Sequence, residues 1–348
     1  MRFAKEVIDL RFGLIGYGLW GKHHAQAIAK APEATLVAIA CSSPETESAA
    51  RADFPKVPVF LGYRSLLDRA DIEAIDIVVP NHLHAEIGVA ALEAGKDVLL
   101  EKPMALSVED CDRLIRAANR HGRVLTIGHE FRLSTQWGRI KALIEEGEIG
   151  EPIYALVSLF RNPYRLGSGG WRYSGEKVGS WTLEEPVHFF DSLMWYFEKW
   201  GDPRSVFAIG SSKGRQQGMF DNFSAIMKWQ GQLYGLVTQT LGGFEHHQVM
   251  EVVGREGSIR TWWSGTMDRT LHPVFELKVQ RRGKEKCETL DVPPSGELFE
   301  LEEELKRVVS AFRERRPIVY GEEARKRVVI CIEAERSLAE GREIELQF

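Results

Sequence analysis

The sequence predicts two domains: an α/β domain with a parallel sheet over residues 1–130, and an α+β domain with a large open, mostly antiparallel sheet over residues 131–348. Three observations predict this. An apolar run at Phe12, Leu14 and Ile15 leads into Gly16-Tyr17-Gly18-Leu19-Trp20-Gly21, and then into small or apolar residues at helical spacing, Ala25, Ala27, Ile28 and Ala29. Strand-like and helix-like segments alternate from there to residue 127. From Ile153 the pattern changes to period-two alternation broken by turns, which describes an antiparallel sheet with one polar face. A chain of 348 residues is also too long for one typical core.

The strand, glycine turn and helix at the start form the context in which a GxGxxG signals dinucleotide binding, so the first domain reads as a Rossmann domain. Gly16 permits the tight turn, Gly18 lets a pyrophosphate approach the backbone, and Gly21 lets the helix pack close to the strand. The helix N-terminus offers free N–H groups and a partial positive charge to a diphosphate. Tyr17, Leu19 and Trp20 complete the turn and are expected at the cofactor with the glycines.

The remaining elements of this half follow in order. Residues 1–10 are a short leader. Thr35–Ala40 is a buried strand, and Cys41, Ser42 and Ser43 follow it where an acid would normally bind the adenosine ribose. With no acid and no Arg there, a 2′-phosphate meets neither repulsion nor a clamp. NAD is the expected cofactor and NADP stays open. Tyr63–Arg69 reads as a short helix. Ala74–Val79 is a strand that runs into Pro80-Asn81-His82-Leu83-His84, with a helix over 85–94 closed by Gly95. Asp97–Leu100 is a strand ending in Glu101-Lys102-Pro103. A helix over Ser107–His121 carries a capping pair, Ser107 with Asp110, and Val124–Ile127 closes the sheet. Strands joined through helices make a parallel sheet with ligands at the strand C-termini, and each segment singled out here follows a strand.

Composition narrows the function. A net charge of −5, with 44% apolar and 27% charged residues, describes an ordinary globular chain and argues against nucleic acid as the main partner. Four cysteines, Cys41, Cys111, Cys287 and Cys331, form no CxxC, so neither disulfides nor zinc are implied and a reducing cytoplasm fits. No signal-peptide core and no membrane-length apolar run is present, so no membrane partner is expected. His246 and His247 are adjacent in a strand and point to opposite faces, so no metal is expected.

The GxGxxG, the strand ending in Pro-Asn-His-Leu-His and the Glu-Lys-Pro about twenty residues on together resemble the Gfo/Idh/MocA oxidoreductase family. Pro317–Gly321 and the helix from Glu322 also look like that family's C-terminal segment. The resemblance covers nearly the whole chain. It implies a nicotinamide-dependent dehydrogenase acting on a sugar, cyclitol or related polyol. It places Lys102 beside substrate and nicotinamide, with Glu101, Pro80, Asn81 and His84 on the cofactor side. A physical reading agrees for Lys102: a Lys before Pro at the end of a buried strand sits in a partly desolvated cleft, where it can donate to or trade protons with a hydroxyl. The Lys102–Pro103 bond is of the type that can be cis.

In the second half, His129-Glu130-Phe131-Arg132 stands where the family more often has Asn in place of Glu130; Arg132 is either a substrate contact or a salt-bridge residue. Ser134–Glu146 is an amphipathic helix and Ile153–Phe160 a strand. The long loop Arg161–Ser180 holds Tyr164, Arg165, Trp171, Arg172, Tyr173 and Lys177. Loops of this length are usually functional, and rings with cations suit a sugar or an anionic group on it. In the family an Asp precedes a His by four residues and another Asp follows it by three; here the set is Glu184, His188 and Asp191. With Pro186 in the first turn of the next helix, the positive helix end disfavours imidazolium and leaves His188 free to act as a base. Asp191 is expected to anchor the helix or orient His188. Further strands follow at 205–212, 222–229, 233–241, 247–253, 258–263 and 275–280, then helices at 297–314 and 322–340, and a last strand at 344–348.

The favoured chemistry is hydride transfer between nicotinamide and a secondary alcohol. His188 takes the hydroxyl proton, Lys102 bonds the same oxygen, and Glu184 tunes the pair; Arg132, Tyr164, Trp171, Arg172 and Lys177 contact substrate. Two alternatives remain. One is NAD-dependent glycoside hydrolysis through transient oxidation of the sugar ring, suggested by Glu184-Glu185-Pro186. The other is a dinucleotide-binding sensor without turnover. A wide sheet with aromatics on one face predicts a homodimer or homotetramer.

Overall fold

The computed structural model describes residues 9–213 and 219–348; most of the leader over residues 1–10 lies outside them. The chain divides into two compact units. One runs to Gly128 and includes Leu301–Arg325; the other comprises His129–Glu300 and Lys326–Phe348.

The first unit is built on strands β1 (Leu10–Ile15), β2 (Ala34–Cys41), β3 (Val59–Leu61), β4 (Ala74–Ile77), β5 (Asp97–Glu101) and β6 (Leu125–Gly128). They form a parallel six-stranded sheet in the order β3-β2-β1-β4-β5-β6, the doubly wound arrangement whose halves diverge between β1 and β4. The helices are α1 (Leu19–Lys30), α2 (Pro44–Asp53), the short α3 (Arg64–Leu67), α4 (His84–Glu93) and α5 (Val108–His121). Their ends follow local chemistry. Ser43 caps α2 through Thr46, Ser107 caps α5 by accepting the Asp110 N–H at 3.1 Å, and Gly122 closes α5 in the left-handed region. The short edge strand β3 was not marked by periodicity.

Helix α10 (Glu297–Arg313) supplies part of this unit's core. Its Leu301, Leu305, Val308, Val309 and Phe312 share one helical face and join Phe12, Leu14, Ile28 and Ile39 in a single apolar cluster, with Phe12 and Phe312 stacked at 6.2 Å. These residues lie well beyond position 130.

The second unit holds α6 (Trp137–Glu145), β7 (Pro152–Arg161), the short α7 (Gly175–Val178) and α8 (Trp181–Glu184), and α9 (Pro186–Tyr196). Strands β8 (Ser205–Ser211), β9 (Asn222–Lys228), β10 (Tyr234–Thr240), β11 (His246–Gly254), β12 (Gly257–Gly265), β13 (Val274–Arg281) and β14 (Glu288–Leu290) follow. Helix α11 (Gly321–Glu340) and β15 (Ile344–Glu345) end the chain. The nine strands order as β14-β13-β12-β11-β7-β10-β9-β8-β15, antiparallel except for the β7–β10 pair. The alternation seen in the sequence decides the faces. Helix α9 packs on one side, Phe190 meeting Phe223 at 6.2 Å, while Ile209 and Tyr234 stay exposed on the other. Among the described residues no helix is long and apolar enough to cross a membrane, and no group of three or more His, Cys, Asp or Glu side chains could hold a metal ion.

Leu305, fully buried in the first unit, gives the test of the α10 contribution. Leu305→Ala should lower unfolding free energy by about 2–5 kcal/mol, read from denaturant titration.

Candidate active site

The glycine turn has the geometry its residue types allow. Gly16 sits at φ +103°, and a Cβ there would lie 2.0 Å from the Val78 carbonyl oxygen; a Cβ on Gly21 would lie 2.1 Å from the Gly16 carbonyl oxygen. Both positions are closed to any side chain. Gly18 is different, with no atom within 4 Å of a built Cβ. It caps α1 through backbone alone, and no acid occupies the first turn. The open space and free helix end fit a diphosphate. Among the neighbours, Leu19 is 64% exposed. Tyr17 turns its ring into the core and donates its hydroxyl to Asp53 at 2.9 Å, so only its backbone can serve a cofactor. Trp20 donates its indole N–H to Glu101 Oε1 at 2.8 Å.

After β2, Cys41 is buried, Ser43 is engaged in capping α2, and Ser42 is exposed. Arg51 donates to Glu47 at 2.7 Å and to the Val59 carbonyl at 2.8 Å. After β4, Pro80 opens a single 3-10 turn, Asn81–Leu83, and Asn81 is buried. His84 departs from its expected role at the cofactor. Its ring is fully buried, with Nδ1 2.7 Å from the Pro103 carbonyl and Nε2 2.9 Å from that of Val79, so it ties together the loops after β4 and β5. Lys102 follows β5, half-buried, and its bond to Pro103 is cis.

Beneath these loops lies a charged cluster that pattern reading missed. His24, on α1, has no exposed surface; its Nδ1 is 2.8 Å from Asp76 Oδ2 and its Nε2 3.1 Å from Glu101 Oε1. Burial alone would push the imidazole pKa down, but Asp76 and then Glu101 outweigh it and raise it to about 10. Glu101, which burial would raise, is held down at about 2 by His24, by the charge of Lys102 and by Trp20. Burial pushes Asp76 up, offset in part by His24. One sequence signal was available: an Asp inside the apolar run Ala74–Val79 needs a buried partner.

In the second unit, His188 is the third residue of α9 and buried. Its ring stacks on Phe131 at 4.7 Å and meets His129 edge-on at 5.7 Å. Its Nε2 lies 3.7 Å from Glu130 Oε1. Glu130 stands where the family more often has Asn, and that departure is the one sequence signal for its place beside His188. Asp191 anchors the region. Arg132 grips both its oxygens, at 2.9 and 2.6 Å, and Arg327 donates to one at 2.8 Å. Burial would raise the Asp191 carboxyl, but Arg132, His129 and Arg327 hold it far below the ordinary range. Arg132 is therefore an anchor with its guanidinium occupied, the salt-bridge alternative over the substrate contact.

The loop from Arg161 to Ser180 is packed rather than loose. Tyr164, Val178 and Trp181 form a small apolar cluster with Met219 and Leu241, against which Trp171 and Tyr173 rest. Tyr164 is buried and donates to Gln239 at 2.8 Å, so its ring is structural instead of lying against a substrate. Arg172 lies over Trp171 at 4.5 Å and donates to Glu184 Oε1 at 2.5 Å. Arg161 donates to Glu185 at 3.0 Å and Arg165 to Asp268 at 2.7 Å. Lys177 is exposed.

Comparison with known proteins decides the relationship. Residues 10–129 match the family described as "Oxidoreductase family, NAD-binding Rossmann fold", and residues 137–260 match "GFO/IDH/MocA C-terminal domain". The chain belongs to the Gfo/Idh/MocA family. Levoglucosan dehydrogenase of Pseudarthrobacter phenanthrenivorans is 28% identical over 289 residues, covering 72% of this chain and 73% of that protein. Inositol 2-dehydrogenase of Salmonella typhimurium is 32% identical over 149 residues, 42% of this chain and 44% of the relative. A solved structure, "Levoglucosan dehydrogenase, complex with NADH", superposes with a TM-score of 0.85 at 24% identity, covering 97% of this chain and 99% of that one, which speaks to the fold. Within the Gfo/Idh/MocA family this chain keeps the oxidoreductase Rossmann unit and its NAD-binding character.

Two outcomes follow from this geometry. Gly18→Ala should fold like the parent and lose NADH affinity by about tenfold or more in fluorescence titration, whereas Gly21→Ala should cost at least about 1–3 kcal/mol of stability through overpacking. His24 gives a pH signature. Below its ordinary value of 6.5 the imidazole is charged in both folded and unfolded chains, and its contribution is whole; from there to about 10 only the folded chain keeps the proton, and the contribution falls away. Thermal melts from pH 6.5 to 10 should decline more steeply for the parent than for His24→Gln.

Proposed function

We propose that this chain is an NAD-dependent dehydrogenase or reductase that moves hydride between nicotinamide and a secondary alcohol of a sugar or cyclitol. The observation that carries the reading is that one sheet presents both the open glycine turn at Gly18, after β1, and, two strand positions along, Lys102 at the end of β5. A bound nicotinamide supplies the hydride acceptor or donor. Gly16, Gly18 and Gly21 shape the diphosphate seat, with Leu19, Trp20, Ser42, Pro80 and Asn81 around the strand ends. Lys102 holds the reacting oxygen by hydrogen bonding. His188 takes the hydroxyl proton as the alcohol is oxidised and returns it in the reverse direction. Glu184 acts through Arg172, fixing the side chain that lies over Trp171. Positioned acid–base groups of this kind contribute about 10²- to 10⁴-fold each.

NAD is preferred to NADP because Arg51, the cation nearest in sequence to the ribose position, is engaged by Glu47 and the Val59 carbonyl. A neutral polyol is preferred to an anionic one because Arg161, Arg165 and Arg172 each carry an internal carboxylate partner. The same pairing removes the support for glycoside cleavage, since Glu184 and Glu185 are both held by arginines. The relatives' names, levoglucosan dehydrogenase and inositol 2-dehydrogenase, agree with a neutral substrate. The exposed face of the nine-stranded sheet, with Ile209 and Tyr234, is proposed as the contact of a homodimer or homotetramer, to be read by light scattering.

A panel of sugars, anhydrosugars and cyclitols assayed with NAD and NADP, read by NADH absorbance, should give NAD-linked turnover. Lys102→Ala should lower kcat about 10³-fold and leave the NADH dissociation constant within about threefold; His188→Asn should lower kcat at least about 10²-fold. Normal turnover by Lys102→Ala, or glycoside cleavage without NADH accumulation, would overturn the assignment.

A further inference from the structure

Helix α1 carries Trp20 and His24 four residues apart, on one helical face. Both reach the same atom. The Trp20 indole N–H donates to Glu101 Oε1 at 2.8 Å, and His24 Nε2 lies 3.1 Å from it. The other ring nitrogen of His24 is 2.8 Å from Asp76, at β4. The second oxygen of Glu101 accepts the backbone N–H of Lys102 at 3.2 Å. Gly128, paired with Glu101 across β5 and β6, lies against that carboxylate, where a Cβ would make ordinary van der Waals contact with Oε1. Asp76, His24, Glu101 and Lys102 therefore form one continuous chain from the interior of the sheet to the loop after β5.

A buried cluster of three ionisable groups is a poor way to stabilise a fold. Well-packed apolar residues of similar volume are commonly as stable or more so. What the cluster does supply is direction. A carboxylate held at one oxygen by the Trp20 indole N–H and by the charge of the His24 ring has its other oxygen aimed in one direction only.

We propose that His24 is a positioning residue: with Asp76 behind it, it locks Glu101 so that one carboxylate joins the diphosphate turn to the loop bearing Lys102. This rests on the reading of Lys102 given above. The groups facing His24 are Asp76 from β4, Glu101 from β5 and the Trp20 ring, edge-on at 5.2 Å. Lys102 in turn lies next to this carboxylate, and its charge helps hold Glu101 ionised.

The test compares parent, His24→Gln and Glu101→Gln as full chains. Amide hydrogen exchange is followed by NMR in cofactor-free protein; kcat and KM are measured with a polyol the parent turns over. In His24→Gln, the Lys102 amide should exchange about tenfold faster while β1 amides keep the parent rate. Its kcat should fall about 10- to 100-fold with KM within about threefold, the size expected when a supporting contact is lost. Glu101→Gln should show the same faster exchange and lower kcat about 10- to 100-fold with KM within about threefold, because the carboxylate that joins the two loops is gone. Parent-like Lys102 exchange and kcat in folded His24→Gln would overturn the proposal. Should His24→Gln fail to fold, Glu101→Gln decides it: unchanged Lys102 exchange and a parent-like kcat overturn it. A parent that turns over no polyol refutes the functional reading separately, and the exchange rates still judge the coupling.

Discussion

The contact on which the first unit depends is between backbones. At Gly16 and Gly21 the helix, the turn and the strand end approach so closely that a single methyl group would fall about 2 Å from a carbonyl oxygen at either site. That approach seats α1 directly on β1 and β4. It is the reason a helical residue as far along as His24 can touch Asp76 on one strand and Glu101 on another. The glycines are therefore read too narrowly as a cradle for phosphate. They also set the depth at which α1 lies, and with it the reach of Trp20 and His24 into the sheet.

The second unit solves a similar problem with charge. Helix α9 is apolar along almost its whole length and buried, and it includes Asp191. A lone carboxylate in such a place would be strongly disfavoured. Arg132 and Arg327 come from separate segments, before α6 and from α11, and both end on it. Removing one partner would leave buried charge uncompensated, so the three residues stand or fall together. His188, one turn earlier on α9, stacks on the Phe131 ring.

Much of this was legible in the sequence, and the division is physical. Strands of four or more residues, the glycine turn, the cap of α5 and the two-residue alternation after 152 all leave local marks. Val59–Leu61 and Glu288–Leu290 do not, being three-residue edge strands whose pairing is decided by their neighbours. The site divides in the same way. Position after a strand says which loop a residue occupies. It does not say which way the side chain turns. His84, Arg132 and Tyr164 were chosen for their loops, yet each points inward, to backbone carbonyls, to Asp191 and to Gln239. His24, Asp76 and Glu130 leave no such local mark, because their partners lie at least fifty residues away along the chain.

The return of α10 to the first unit sets an order of events during synthesis. The ribosome releases the residues of all six parallel strands long before it reaches Leu301, so Phe12, Leu14, Ile28 and Ile39 emerge without the helical face that covers them. Until some three hundred residues have been made, the nucleotide-binding half carries an uncovered greasy flank. A nascent chain of this kind is an obvious client for holding chaperones, and a fragment cut after the last parallel strand would inherit the same sticky surface for good.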